Sequence, residues 1–253
     1  MSLRWVARSP ALFLIPLLLL LFGCGPTGKS RDALPPVGLF TSLPLIWPES
    51  ADLSALLRSD APPHWVVSDL GKHGTVTPLD SLAGADGALP LPSRALLVMA
   101  QPRPLSPDEN VALDQWVRDG GRLLLFADPL LTSESVFPVG DARRPQDVVL
   151  LSPILAHWGL ELQFDERQVP GRRLVVFEDG HIPVDLAGQF GLLGREEATC
   201  TTTAEDLVAD CVIGEGRVLA VADAALLDRS ENQEPAPDRE ALRLLLDRLA
   251  HPR

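Results

Sequence analysis

Residues 95–128 constrain the fold most, because they contain a strand, a helix and a second strand in direct succession. The apolar run at 95–100 is short and bounded by polar residues, which is typical of a buried strand. A helix start is predicted next, where Ser106 can cap the free N–H groups and Glu109 completes a capping box. A second apolar run follows at 123–127. Two strands that are apolar on both faces, joined by a helix, predict a right-handed βαβ unit in a parallel sheet.

Similar patterns predict further elements on both sides of this unit. They are strands at 37–40, 64–68, 160–164, 174–177 and 216–223, and helices at 51–59, at 152–159 with a capped start at Ser152, and at 238–251. The strands at 174–177 and 216–223 are expected to be buried. The predicted fold class is α/β, with a mainly parallel open sheet, helices on both faces and a small β-hairpin near residues 198–213. A single α/β domain is expected to span residues 37–253.

Two of the predicted buried strands end in the same way. Residues 121–131 parallel residues 216–226, and in each an apolar strand leads to Ala-Asp, which places Asp128 and Asp223 at the carboxyl edge. Open α/β sheets bind their ligands at this edge. The two side chains are either paired carboxylates in a cleft, or caps of the turns that follow their strands. Both interpretations remain open from the sequence.

The N-terminus has the layout of a secretory signal. Arg4 and Arg8 precede an apolar segment at 11–22, and the segment at 21–24, Leu-Phe-Gly-Cys, resembles the lipobox of bacterial lipoproteins. This resemblance predicts a signal peptide at 1–23, lipidation of Cys24 and a tether at 24–36. The alternatives are an uncleaved transmembrane anchor, since residues 9–28 carry no charge, and an ordinary cleaved signal. All three place the rest of the chain outside the cytoplasm.

The expected location is therefore the periplasmic side of a bacterial membrane. Gly25 stands after Cys24 in place of the Asp that often marks retention in the inner membrane, which favours the outer membrane. The formal net charge of −12 argues against nucleic acid as a partner. In an oxidising compartment, Cys200 and Cys211 are expected to form a disulfide between two short strands. The alternative is two free buried thiols.

No cofactor, metal or catalytic residue is predicted. Residues 23–30 fit the phosphate-loop pattern GxxxxGK[ST], but the mechanism needs a preceding strand and a following helix, and neither is predicted there. The five histidines lack metal-ligand spacing. No serine lies in a GxSxG setting, and neither Cys200 nor Cys211 lies on the tight strand-to-helix turn that a nucleophile needs.

Several motifs together resemble a known family. They are LSPDE at 105–109, WVRDGGRLLL at 116–125, ADP at 127–129, LSPIL at 151–155, WGL at 158–160, and GEGRV at 214–218 leading to Ala-Asp at 222–223. The chain is similar to the extracytoplasmic domains of gliding-motility-type ABC-transporter auxiliary proteins and their uncharacterised relatives. The resemblance implies a flavodoxin-like sheet, related to class I glutamine amidotransferases, in proteins not known as amidotransferases. Those proteins are typically larger and carry a terminal transmembrane helix, whereas a lipoprotein-like leader stands here.

These observations predict a non-catalytic, membrane-tethered binding domain outside the cytoplasm. Its expected partners are the membrane, through the lipid or anchor, and ABC-transporter subunits or other envelope proteins. The alternative class is an envelope hydrolase that uses Asp128 and Asp223.

Overall fold

The central strands are apolar along their whole length, and they form the middle of a seven-stranded sheet. The structure is a computed structural model that describes residues 1–2, 35–50, 63–195, 197–228 and 236–251. The strands in chain order are β1 (Pro36–Thr41), β2 (Thr75–Pro78), β3 (Leu96–Ala100), β4 (Arg122–Phe126), β5 (Leu160–Gln163), β6 (Arg173–Phe177), β7 (Gly180–Val184), β8 (Gln189–Leu192), β9 (Ala198–Thr203), β10 (Val208–Ile213) and β11 (Gly216–Val221). The helices are α1 (Trp65–Leu70), α2 (Pro107–Arg118), α3 (Ser152–His157) and α4 (Ala236–Ala250), with a 3₁₀ turn at Ala225–Leu227.

The sheet is mostly parallel. Its order is β2-β1-β3-β4-β11-β10-β9, and each pair from β2 to β11 is parallel, whereas β10 pairs antiparallel with both β11 and β9. Two small antiparallel pairs, β5 with β8 and β6 with β7, lie outside it. The prediction of an α/β fold with a mainly parallel sheet is confirmed, and the described helices are few.

Both faces of the central sheet are covered. Every residue of β3 and β11 is buried, although side chains alternate between the two faces of a strand. The helices α1 and α4 contact each other through Arg239, which pairs with Asp69 at 2.7 Å and lies over the ring of Trp65. The helices α2 and α3 meet where Trp158 donates from Nε1 to Asp114 at 2.8 Å.

The βαβ unit at 95–128 is present as predicted. Ser106 accepts a hydrogen bond from the Glu109 amide at 3.2 Å, and Glu109 accepts one from the Ser106 amide at 2.9 Å, so the capping box is formed. Helix α2 then packs very closely on the sheet. A side chain at Gly216 in β11 would meet the Val117 carbonyl oxygen, and one at Gly121 would meet the Trp116 ring.

Three local predictions were wrong. Residues 64–68 do not form a strand, because they begin α1, whose N-terminus is capped by the His64 ring accepting from the Val66 amide. The strand at 174–177 is only half buried, since Leu174 and Val176 are exposed on the outer face of the β6–β7 pair. Helix α3 begins at Ser152, but no side chain caps it.

The predicted hairpin near 198–213 is formed by β9 and β10, and a disulfide joins Cys200 to Cys211, which are directly opposite each other. The described residues from 35 onward cluster as one compact unit. The predicted signal peptide at 1–23, Cys24, nearly all of the tether and the helix at 51–59 lie outside the described residues. Among the helices that the structure describes, none is long and apolar enough to cross a membrane.

Candidate functional site

The carboxyl edge of the parallel sheet gathers the polar residues that follow four strands. Thr41 and Ser42 stand at the end of β1, Gln101 follows β3, Asp128 follows β4 and Asp223 follows β11. Because β4 and β11 are neighbours, the structure brings the two sequence-predicted aspartates to the same place.

Both aspartates are fully buried, and the turns after their strands depend on them. Asp128 accepts hydrogen bonds from the Leu130 amide at 2.8 Å and from the Ala224 amide at 3.1 Å. Asp223 accepts from the Ala225 amide at 2.6 Å and from the Asp185 amide at 3.0 Å. Each carboxylate closes its own turn and also holds a second loop. Of the two interpretations from the sequence, this geometry favours the turn-capping one.

Burial makes both carboxyl groups weaker acids than an exposed aspartate. Desolvation raises the pKa of Asp128 to about 6, although the Leu130 and Ala224 amides oppose the shift. Desolvation, followed by the charge of Asp128, raises the pKa of Asp223 well above its ordinary value. Desolvation also raises the pKa of Asp228, on the turn after Asp223. This end of the sheet therefore binds protons more readily than an unfolded chain does.

We expect Asp128→Asn to change the pH dependence of stability. An unfolded aspartate has a pKa near 3.9, whereas folded Asp128 has a pKa of about 6, so its contribution to stability is full below about pH 4 and is lost as the pH rises through about 6. Asparagine does not titrate. The free energy of unfolding of the variant, relative to the wild type, should therefore rise by up to about 3 kcal/mol from pH 4 to 7.

Urea unfolding at several pH values measures this difference. Glu166→Gln is the matched control, because Glu166 is exposed and shows no hydrogen bond in the described part of the chain. A constant difference between Asp128→Asn and the wild type from pH 4 to 7 would contradict the prediction.

Gln101 holds the carboxyl edge together. It is fully buried and has a positive φ of 44°, an uncommon conformation for a residue other than glycine. Its Oε1 accepts from the Asp128 amide at 2.9 Å, and its Nε2 donates to the carbonyl oxygens of Asp128 at 3.1 Å and Gln146 at 2.8 Å. The Ser42 hydroxyl donates to the Gln101 carbonyl oxygen and accepts from the Gln146 amide at 3.0 Å. The loops after β1, β3 and β4 are thereby fixed to one another.

An open cleft of about 300 Å³ lies at the carboxyl ends of β1 and β2. Its floor is apolar, and Trp47, which is 71% exposed, stands at its side. Glu49 joins two of its walls by accepting from the Ser135 hydroxyl at 2.9 Å and the Val136 amide at 2.8 Å. The lining residues include Leu39, Thr41, Ser42, Leu43, Ile46, Trp47, Glu49, Leu79, Asp80, Phe137 and Arg143.

The sequence analysis missed this cleft. It placed the ligand edge at Asp128 and Asp223, which are buried, whereas the accessible space lies beside β1, two strands from β4 and three from β11. The sequence feature that could have indicated the cleft is the loop 41–48, in which two prolines end the strand and which contains Trp47. In the part of the chain that the structure describes, no group of three or more His, Cys, Asp or Glu side chains is arranged to hold a metal ion.

The fold and the site together define an α/β domain with a mostly parallel sheet and a cleft at its carboxyl edge. Residues 35–192 match the family model described as an ABC-type uncharacterized transport system, and the chain belongs to this family. The resemblance to transporter auxiliary proteins is confirmed to that extent. No curated protein matches the chain.

Several solved structures align with most of this chain at low identity and with TM-scores below 0.5. The exo-β-1,4-mannosidase Op5Man5 from Opitutaceae bacterium strain TAV5 is 14% identical, with a TM-score of 0.44, over 87% of this chain and 35% of that one. A β-galactosidase from Rahnella sp. R3 is 13% identical, with a TM-score of 0.43, over 88% of this chain and 32% of that one. The cytoplasmic protein STM3548 from Salmonella typhimurium is 14% identical, with a TM-score of 0.41, over 85% of this chain and 98% of that one. This chain spans about a third of the length of the two glycosidases, and likeness at this level carries no information on activity.

Proposed function

We propose that this chain is a non-catalytic binding domain, tethered to a membrane on its periplasmic side, that acts as an auxiliary component of an ABC-type transport system. The observation that carries the proposal is membership of the transport-system family over residues 35–192. The proposed partners are transporter subunits or other envelope proteins.

The state of the two aspartates supports a binding role over the hydrolase alternative. A general acid or base has to come within hydrogen-bonding distance of its substrate. Asp128 and Asp223 are fully buried, and their carboxylate oxygens accept hydrogen bonds from backbone amides. Their raised pKa values follow from this burial, and the open cleft is lined by other residues.

The tether and the location rest on the N-terminal pattern, with Cys24 as the proposed lipid attachment site in the outer membrane and a single N-terminal transmembrane anchor as the alternative. The Cys200–Cys211 disulfide supports an oxidising compartment, because disulfides persist mainly outside the cytoplasm. The proposed fold is flavodoxin-like. The parallel strands in the order β2-β1-β3-β4-β11 support it, since the flavodoxin order is 2-1-3-4-5.

Affinity purification of the full-length, tagged protein from detergent-solubilised membranes tests the proposal. Permease and ATPase subunits of one transporter should be recovered with the wild type and identified by mass spectrometry. A Cys24→Ala variant is the control. It should leave the membrane fraction if Cys24 is lipidated, and recovery of the subunits should fall because the protein no longer shares their membrane surface. Recovery of no transporter subunit with the wild type would refute the auxiliary role, and a membrane-bound Cys24→Ala variant would favour the transmembrane anchor.

A further inference from the structure

We propose that the cleft at the carboxyl ends of β1 and β2 binds a small organic cation with an apolar body, such as a quaternary or primary ammonium compound. This inference goes beyond the proposed function, since the binding needs no transporter subunit. It rests on four properties of the cleft, which are its position in the sheet, its hydrogen-bonded walls, its exposed tryptophan and its negative charge.

The cleft lies beside the reversal of the strand order, which falls between β1 and β3, and it is lined by residues of β1 and β2 and of the loops after β1, β2 and β4. Strand β1 is in the sheet between β2 and β3, so the chain proceeds to one side of β1 first and then to the other. In open α/β sheets, ligands bind outside the carboxyl ends of the strands at this reversal. The volume of the cleft, about 300 Å³, is at the lower end of the range for small-molecule sites.

The walls of the cleft are held by the hydrogen bonds described above. Ser42 is tied to Gln101 and Gln146, and Glu49 is tied to Ser135 and Val136, so residues far apart in the chain are joined across the site. A site whose walls are already fixed loses little conformational entropy when a ligand binds.

The aromatic wall favours a cation with apolar substituents. Trp47 presents a largely exposed indole, and tryptophan is the aromatic side chain that attracts cations most strongly. The floor contains the buried Leu39 and Leu43, which can contact methyl or methylene groups, whereas one face of the Phe137 ring is covered by the Arg143 guanidinium at 4.2 Å from the ring centroid. A purely hydrophilic ion would leave this floor without a partner.

The charge of the cleft is negative. Among the described residues, its lining contains the carboxylates of Asp80 and Glu49 and the guanidinium of Arg143. Arg143 is neutralised by Asp141, to which it donates from Nε at 3.0 Å and from Nη2 at 2.7 Å, and this contact lowers the pKa of Asp141 to about 2.

Two further described cations lie near these carboxylates. Arg144 lies close to Glu49, but it is paired with Asp147 at 2.8 Å. Arg103 donates to the Asp80 carbonyl oxygen, but it is paired at 2.7 Å with the buried carboxylate of Glu109. The cleft therefore repels anions and attracts cations, in keeping with the net charge of −12.

Isothermal titration calorimetry of the full-length protein in a neutral detergent tests the proposal, with choline and its uncharged isostere 3,3-dimethylbutan-1-ol as probes. Choline should bind at least about tenfold more tightly than the alcohol, because the two differ mainly in charge. Trp47→Ala should weaken choline binding about tenfold, and Asp80→Asn should weaken it severalfold. Glu166→Gln removes an exposed carboxylate that does not line the cleft and should leave choline binding unchanged.

Equal binding of choline and the alcohol would overturn the proposal, and so would the absence of choline binding at 10 mM. Unchanged binding in Trp47→Ala would show that any choline site lies elsewhere, which also overturns it. Circular dichroism should confirm that both cleft variants fold, as expected for exposed side chains. Recovery of transporter subunits is a separate measurement, so the two proposals can fail independently.

Discussion

Asp210→Ala is expected to lower the free energy of unfolding by about 3–5 kcal/mol, because removing one partner of a buried ion pair leaves a buried charge unpaired. Asp210 and Arg217 are each only 8% exposed. Arg217 donates to both oxygens of Asp210, from Nε at 2.7 Å and Nη2 at 2.5 Å, and Arg248 donates from Nε at 2.9 Å. Two guanidinium groups therefore meet at one carboxylate, which joins β10, β11 and α4, and Arg248 also pairs with Glu178 at 3.6 Å.

Urea unfolding at pH 7 measures this loss. Asp247→Ala is a suitable control, because it removes an ion pair between half-exposed side chains on the same helix, with Arg243 at 2.6 Å. Exposed pairs contribute little, so the control should unfold near the wild-type midpoint. If Asp210→Ala also unfolded there, the buried pair would not have the role described.

Gly216→Ala is expected to lower the free energy of unfolding by about 3 kcal/mol or more, as overpacking of a close contact does. A Cβ at this position would lie 1.8 Å from the Val117 carbonyl oxygen and 2.6 Å from the Gly121 carbonyl oxygen. Both obstacles are backbone atoms, so neither a rotamer change nor a flexible side chain can relieve them. Helix α2 would have to move away from β11.

Thermal unfolding by circular dichroism compares this variant with Gly194→Ala. Gly194 has a φ of 63° and no neighbouring atom within 4 Å of a built Cβ, so its substitution carries only the strain of a left-handed residue, about 1 kcal/mol. A larger loss of stability in Gly194→Ala than in Gly216→Ala would show that α2 does not pack on β11 as closely as described.

The sequence predicted the parallel core because its signals there are local and consistent. The capping box at Ser106 and Glu109, the apolar runs of β3 and β4, and the matching run of β11 all indicate one architecture. Residues 64–68 show the limit of such signals. A short apolar run fits a strand and a one-and-a-half-turn helix equally well, and the His64 cap that decides between them is not apparent from periodicity.

The site was harder to predict, because burial depends on loops that are distant in the chain. The positions of Asp128 and Asp223 after apolar strands indicated the carboxyl edge. Their burial follows from contacts with Ala224 and Asp185, which hydrophobic periodicity does not report. The cleft depends likewise on the hydrogen bond between Glu49 and Ser135. These two loop residues are far apart in the chain, because β2, β3 and β4 lie between them.

The place of β11 in the sheet has a consequence for how the chain is made. It follows β5 to β10 in the chain, yet it lies between β4 and β10 in the sheet and joins the early strands to the later ones. A nascent chain therefore has no complete sheet core until β11 has emerged and paired with β4. For a chain that crosses a membrane unfolded to reach the periplasmic location proposed above, this arrangement favours delayed folding, so that the polypeptide remains competent for translocation.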